Sequence, residues 1–299
     1  MKTLRYPFLL LLPLWLMACN LTQEVDLELP EYDPQVVVEC YLQPGQPYLL
    51  TLVESTGYFE DVELNYVRDA IVTITHEGQT DTLQPLEFRF DDPLLGLLID
   101  TAQLGILRPI LGDGLYFYGS FTPVPTDYNS DFALKVRLTD GRELSSVTQI
   151  LPPVPIDTVE WRFDEDSLAF SLTKVQDNPN QANYYRRLLQ RRERRISQDG
   201  QDTTWVSDVE QDFTLDDEFS NGELLTFGTP FVYRYQDTLI NTLYHITADY
   251  YRFITTRDAA ITASFSPFGQ PAVVYSNIEG GMGIFTGISF DRKVTVIGE

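Results

Sequence analysis

The run Val36-Val37-Val38-Glu39-Cys40-Tyr41-Leu42, then Gln43-Pro44-Gly45-Gln46-Pro47, then Tyr48-Leu49-Leu50-Thr51-Leu52-Val53-Glu54, sets the fold class of this chain. Two stretches rich in β-branched and aromatic residues flank a segment holding two Pro and a Gly. Pro withholds a ladder donor and Gly tolerates positive φ, so the run reads strand, turn, strand. Further along, the same pattern repeats. Ala70–His76 alternates apolar and polar side chains and stops at Glu77-Gly78. Leu115–Phe121, Phe132–Leu138 and Glu143–Ile150 follow, with Asp140-Gly141 as the hairpin turn between the last two. Strands at intervals of roughly ten residues predict an Ig-like antiparallel sandwich over residues 34–150. The apolar stretch Pro93–Leu111, with Gly96 and Gly105, fits a strand pair or a packed loop equally well.

Leu151-Pro152-Pro153-Val154-Pro155 is stiff and cannot pair as a ladder, which makes it the predicted domain boundary. A second antiparallel β domain is expected over 151–299. Its strands are Thr158–Phe163, Ser167–Val175 and, after the turn Asp177-Asn178-Pro179-Asn180, Tyr184–Ile196. That last run carries Arg186, Arg187, Arg191, Arg192, Arg194 and Arg195. It returns through Asp199-Gly200 into Thr203–Val209, with Asp208, Glu210 and Asp212 close by. A nucleic-acid patch is one reading of these arginines. The facing acids favour cross-strand pairing instead, at about 0.2–1 kcal/mol per pair. Leu243, Ile246, Tyr250 and Phe253 fall at helical spacing, predicting one amphipathic helix near 242–259 with Asn241 at its cap. Tyr250-Tyr251 reads as core or as a ligand platform. Ala272–Ser276, Gly283–Phe290 and Lys293–Ile297 read as closing strands.

The chain has 299 residues, 43% hydrophobic and 13% aromatic, enough for a substantial core and a strand-rich fold. Lys2 and Arg5 precede an apolar stretch, Phe8 to Met17, that is too short to span a bilayer. Leu16-Met17-Ala18-Cys19 then closes a lipoprotein export signal. The expected mature form loses 1–18, carries lipid on Cys19, and runs through an acidic tether, 19–33. Two or more acyl chains make a permanent membrane anchor, at roughly 0.8 kcal/mol per buried methylene. An ordinary secretory signal with a coincidental Cys is the plainer alternative. The net charge of −23 repels phosphate backbones, so no nucleic-acid partner is expected. With Cys19 acylated, Cys40 has no partner for a disulfide and reads as a buried structural thiol.

Chemistry-bearing motifs are scarce. Two His, His76 and His245, leave little material for zinc sites or His-based catalysis. Asp216-Asp217-Glu218 with Asn221-Gly222 offers oxygen ligands for calcium, but without D-x-D-x-D-G spacing it reads as an exposed loop. Glu279-Gly280-Gly281-Met282-Gly283 lacks the Lys-Ser/Thr ending of a phosphate loop and reads as a tight turn. There is no G-x-S-x-G elbow and no H-E-x-x-H motif. No catalytic residue, cofactor or metal is predicted.

Four stretches carry a family resemblance. Pro271-Ala272-Val273-Val274-Tyr275-Ser276-Asn277-Ile278-Glu279-Gly280-Gly281-Met282-Gly283-Ile284-Phe285 resembles the signature end of a Bacteroidota lipoprotein family, domain of unknown function 4249. Pro34–Glu39 resembles its opening strand, Leu151–Val159 its Pro-rich midpoint, and Asp249-Tyr250-Tyr251-Arg252-Phe253 its helix. The Ala70–Ile74 strand also resembles transthyretin-like sandwiches. The family resemblance implies a non-enzymatic outer-membrane lipoprotein, facing the periplasm or the cell surface. Its implied role is that of an accessory or ligand-capture subunit of a TonB-dependent transporter. A glycan- or protein-binding adhesin, and a hydrolase using an acidic pair, are the alternatives.

Overall fold

Strand β1, Val36–Leu42, buries Val36, Val38, Cys40 and Leu42 and turns Glu39 and Tyr41 the other way, the period-2 pattern of a pleated strand. The computed structural model describes residues 32–57, 64–89, 92, 114–196, 203–265 and 272–298, without the side chains of 193–196 and 203–207. The export signal, Cys19, nearly all of the tether, 93–111 and the Asp199-Gly200 turn lie outside the described residues.

The remaining strands of the first half are β2 Pro47–Glu54, β3 Asn65–Tyr66, β4 Ile71–His76, β5 Gln79–Arg89, β6 Gly114–Pro123, β7 Asp131–Arg137 and β8 Glu143–Gln149. The second half adds β9 Thr158–Phe163, β10 Ala169–Gln176, β11 Tyr184–Ile196, β12 Thr203–Asp216, β13 Leu224–Gly228, β14 Thr238–Ile246, helix α1 Ala248–Ser264 and β15 Met282–Val296. The protein is mainly β, with antiparallel sheets and one helix among the described residues. One sheet runs β12-β11-β14-β15-β1-β2-β6-β5-β4-β7-β8 with β3 beside β2; a smaller one runs β13-β10-β9.

The large sheet folds back on itself. Ser145 on β8 exchanges two backbone hydrogen bonds with Glu279, just before β15, at 3.1 and 2.8 Å. Val38, Cys40, Leu50 and Leu52 then pack against Val72, Phe132, Val136 and Leu144 in one buried cluster. Phe285 and Ile278 complete that cluster from the far end of the chain. β1 pairs antiparallel with β2 but parallel with β15, Val38 opposite Gly283. The large sheet therefore takes strands from both sides of the Pro-rich link at 151–155, and Pro34–Glu299 forms one compact unit. The boundary expected at 150/151 is corrected: local stiffness marks a linker, but sheet continuity is decided by pairing elsewhere.

The glycines of the C-terminal signature serve this closure. Gly283 has φ 110, and a Cβ there would collide with the Val38 carbonyl oxygen on β1. Asn277 acts as a substitute strand, its Nδ2 donating to the Phe285 carbonyl at 2.8 Å and its Oδ1 accepting from the Phe285 amide at 3.0 Å. Residues 272–276, expected as strand, instead form an irregular segment.

The predicted helix near 242–259 is displaced: residues 238–246 are strand β14, and α1 starts at Ala248. β14 lies between β11 and β15, so Leu243 and Ile246 are buried as strand residues, and ladder pairing on both sides overrides the helical spacing. Thr247, not Asn241, caps the helix, its Oγ1 accepting from the Tyr250 amide at 3.2 Å. Tyr250, Phe253 and Ile254 form its buried face.

Candidate functional site

The sequence alternation of β1 and β2 leaves Glu39, Tyr41, Leu49 and Thr51 on the face opposite the core, with Glu39 directly across from Thr51. Arg186 on β11 and Tyr244 on β14 stand opposite each other in register. Helix α1 overhangs them with Tyr250 and Arg257, two turns apart on one face. Together with Ile288 of β15, these residues wall two neighbouring hollows. One, about 380 Å³, is lined by Tyr41, Arg186, Tyr244, Tyr250, Arg257 and Ile288. The other, about 520 Å³, shares Tyr41 and Ile288 and extends over Glu39, Gln43, Gln46, Leu49 and Phe117. Both volumes fall within the range of small-molecule sites.

The charges in this groove are disposed unequally. Arg186 donates to both carboxylate oxygens of Asp212 at 2.8 and 2.6 Å and to the Tyr250 hydroxyl at 3.3 Å. That bidentate bond raises its pKa still further, and with the Tyr250 bond it engages three of its five N–H donors. Glu39 opens into the groove, and partial desolvation raises its carboxyl pKa, opposed by the positive charge of Arg257. Burial, then the neighbouring Glu39, pushes the Tyr41 hydroxyl up in the same sense. The Tyr41 ring meets Tyr250 edge-on at 5.6 Å. The groove thus offers an aromatic and aliphatic wall, a carboxylate held partly out of water, and a guanidinium on the facing helix. Such a surface suits polyhydroxyl or cationic ligands.

The residues singled out in the sequence are placed as follows. Tyr250 is core, 6% exposed, with its hydroxyl edge bordering the groove; Tyr251 donates to Asp216 at 2.8 Å. Cys40 is buried and free, and burial pushes its thiol pKa up, as suits a structural group. Asp217, expected in an exposed loop, is buried. Its Oδ2 accepts from the backbone N and the Nδ2 of Asn183, both at 2.9 Å, and the same Nδ2 reaches Asp177 Oδ1 at 3.1 Å. Arg186 pairs with an acid on the neighbouring strand, as expected. Arg191 reaches Asp237, just before β14, at 2.8 Å. Arg187 is only 2% exposed and donates to Gln211, Thr173 and Asn241, while the Phe227 ring lies 4.9 Å away. Burial lowers its pKa to about 10. Among the described residues, one group brings three ligand-capable atoms within 4.8 Å of one another: His76, Glu77 and Asp127.

Sequence reasoning missed the groove. Alternation announced that Glu39 and Tyr41 face away from the core, but nothing local announced which elements would arrive over them.

Fold and groove define a mainly antiparallel β protein with a tyrosine-walled hollow beneath helix α1. The chain belongs to the family described as domain of unknown function (DUF4249), whose model matches residues 22–294. Comparison with curated proteins finds no match. Among solved structures, a chain of a cytokine receptor complex, crystal form 1A, is 11% identical over 72% of this chain and 86% of its own, with a TM-score of 0.24. A second crystal form gives 11% identity, 68% and 89% coverage, and a TM-score of 0.23. Scores this low support no further comparison.

Proposed function

We propose that this protein is a non-enzymatic outer-membrane lipoprotein, held by lipid on Cys19, that captures a ligand for a TonB-dependent transporter. The observation that carries the capture role is the groove. Tyr41 walls both hollows, and Glu39 presents a carboxylate that none of the described hydrogen bonds or ion pairs occupies. The anchor rests on Leu16-Met17-Ala18-Cys19 behind a positively charged, apolar leader. The transporter partner rests on the resemblance of the family to lipoproteins of that setting, which is an argument by analogy. The strongly acidic body suits a crowded envelope surface.

Crosslinking in the native envelope, followed by pull-down of the wild type, should recover a large β-barrel. Cys19→Ala should lose it, because the body is then no longer held at the membrane. Recovery of no barrel from the wild type would sink the transporter role. The tyrosines also favour a second reading, a glycan-binding adhesin. Binding on a glycan array that Tyr41→Ala weakens, without any barrel partner, would select it.

A further inference from the structure

β4 ends on His76, the hairpin turn after it supplies Glu77, and the loop between β6 and β7 supplies Asp127. One ligand-capable atom of each lies within 4.8 Å of the other two. His76 Nδ1 lies 3.1 Å from the Asp131 carbonyl oxygen, and Nε2 lies 3.1 Å from Asp127 Oδ2. A carbonyl only accepts, so Nδ1 carries the hydrogen. A neutral imidazole has a single N–H, and Nε2 is then left with a lone pair facing a carboxylate. That contact is repulsive unless a positive charge enters.

Two charges are available in principle, a second proton or a metal cation. The proton makes an imidazolium that balances one carboxylate and leaves the other uncompensated. A dication balances both. A separation of 3.1 Å suits an ion pair as well as two donors on one cation; what favours the dication is the third donor, Glu77, within 4.8 Å of the other two. Metal–ligand bonds of about 2.0–2.2 Å place adjacent donor atoms about 3 Å apart, close to the His76–Asp127 separation. The Nδ1–H bond to a backbone carbonyl is how a metal-bound histidine fixes its tautomer and ring orientation. Phe132, fully buried, stacks on the imidazole at 4.0 Å and 9°, so the ring plane is set before any ion arrives.

We propose that His76, Glu77 and Asp127 form a binding site for a divalent transition-metal ion of the zinc or copper class. The imidazole nitrogen selects these ions over calcium and magnesium. Asp127 is 37% exposed, leaving room for water to complete the coordination. The site is independent of the groove and of the envelope role. It departs from the expectation that two histidines leave little material for a zinc site.

The test uses the full chain, purified in detergent and without a histidine tag. Zinc titrated calorimetrically should bind at one site per chain, and Cu²⁺ should give an electron paramagnetic resonance spectrum with nitrogen coupling. Asp127→Asn and Glu77→Gln alter exposed groups and leave the core intact. Each should weaken zinc binding at least as much as loss of an outer partner does, roughly tenfold. With only two histidines in the chain, the His76 ring signals are separable by NMR from those of the buried His245. Zinc should displace the His76 signals alone. The proposal falls if zinc produces no heat, if both variants bind as the wild type does, or if the His76 signals follow the same pH course with and without zinc. The last outcome identifies a plain imidazolium–carboxylate pair.

Discussion

His245 sits on β14 at 1% exposure, its Nδ1 donating to the Pro152 carbonyl at 2.7 Å and its ring stacked on Tyr185. Burial lowers its pKa below the ordinary 6.5, opposed by the Pro152 bond and by the charges of Asp177 and Asp217. The unfolded chain therefore takes up a proton at higher pH than the folded one. Stability is intact above about pH 6.5 and falls as pH drops through that value toward the folded pKa. Denaturation midpoints measured between pH 7.5 and 5.5 should decline in the wild type and decline less in His245→Phe. Equal slopes would show that His245 is not the group responsible. Composition showed that His245 was one of two imidazoles, but not that it was buried. The same holds for Arg187. Its run of arginines read as cross-strand partners of acidic residues, yet strand alternation turns Arg187 inward between the two sheets. Cys40 was legible, because a thiol inside an alternating apolar strand faces the core whatever its neighbours are.

Helix α1 shows what an element owes to its ends. Thr247 caps it, Asp249 places a negative charge in its first turn, and Tyr250, Phe253 and Ile254 hold it to the sheet. The Thr247 hydroxyl also lies 3.1 Å from that of Thr286 on β15, tying the helix start to the strand that joins both halves. Thr247→Ala should cost about 1 kcal/mol, within the range for a lost cap. The check is the urea midpoint at constant slope. An unchanged midpoint would mean that the hydroxyl contributes nothing. The helix itself was legible, though its start was not. Leu243 and Ile246 satisfy a helical spacing as seen in sequence, and they satisfy strand burial as seen in space. Periodicity cannot separate two elements when one apolar series runs across their junction.

At the scale of the whole molecule, the first and last strands are partners, and the core of the first half includes Phe285 and Ile278 from the end of the chain. Each such side chain contributes roughly 1.5–3 kcal/mol on burial, against a typical total stability of about 5–15 kcal/mol. A fragment of residues 34–150 should therefore lack a cooperative unfolding transition and fixed aromatic signals in near-ultraviolet circular dichroism. The full chain should unfold in one step. A stable, cooperative fragment would restore the two-domain reading. Pairing between such distant segments also predicts slow folding, since a long loop must close before the contact forms. That β1, β2, β4, β7 and β8 are strands, and which of their sides faces inward, was written into the sequence by itself, because pleat and turn chemistry are properties of neighbouring residues. The partner of β1, the start of α1, the burial of Arg187 and the groove around Tyr41 were decided by the tertiary structure alone. Each depends on which distant backbone best completes a ladder and a core, a free energy that no local stretch contains.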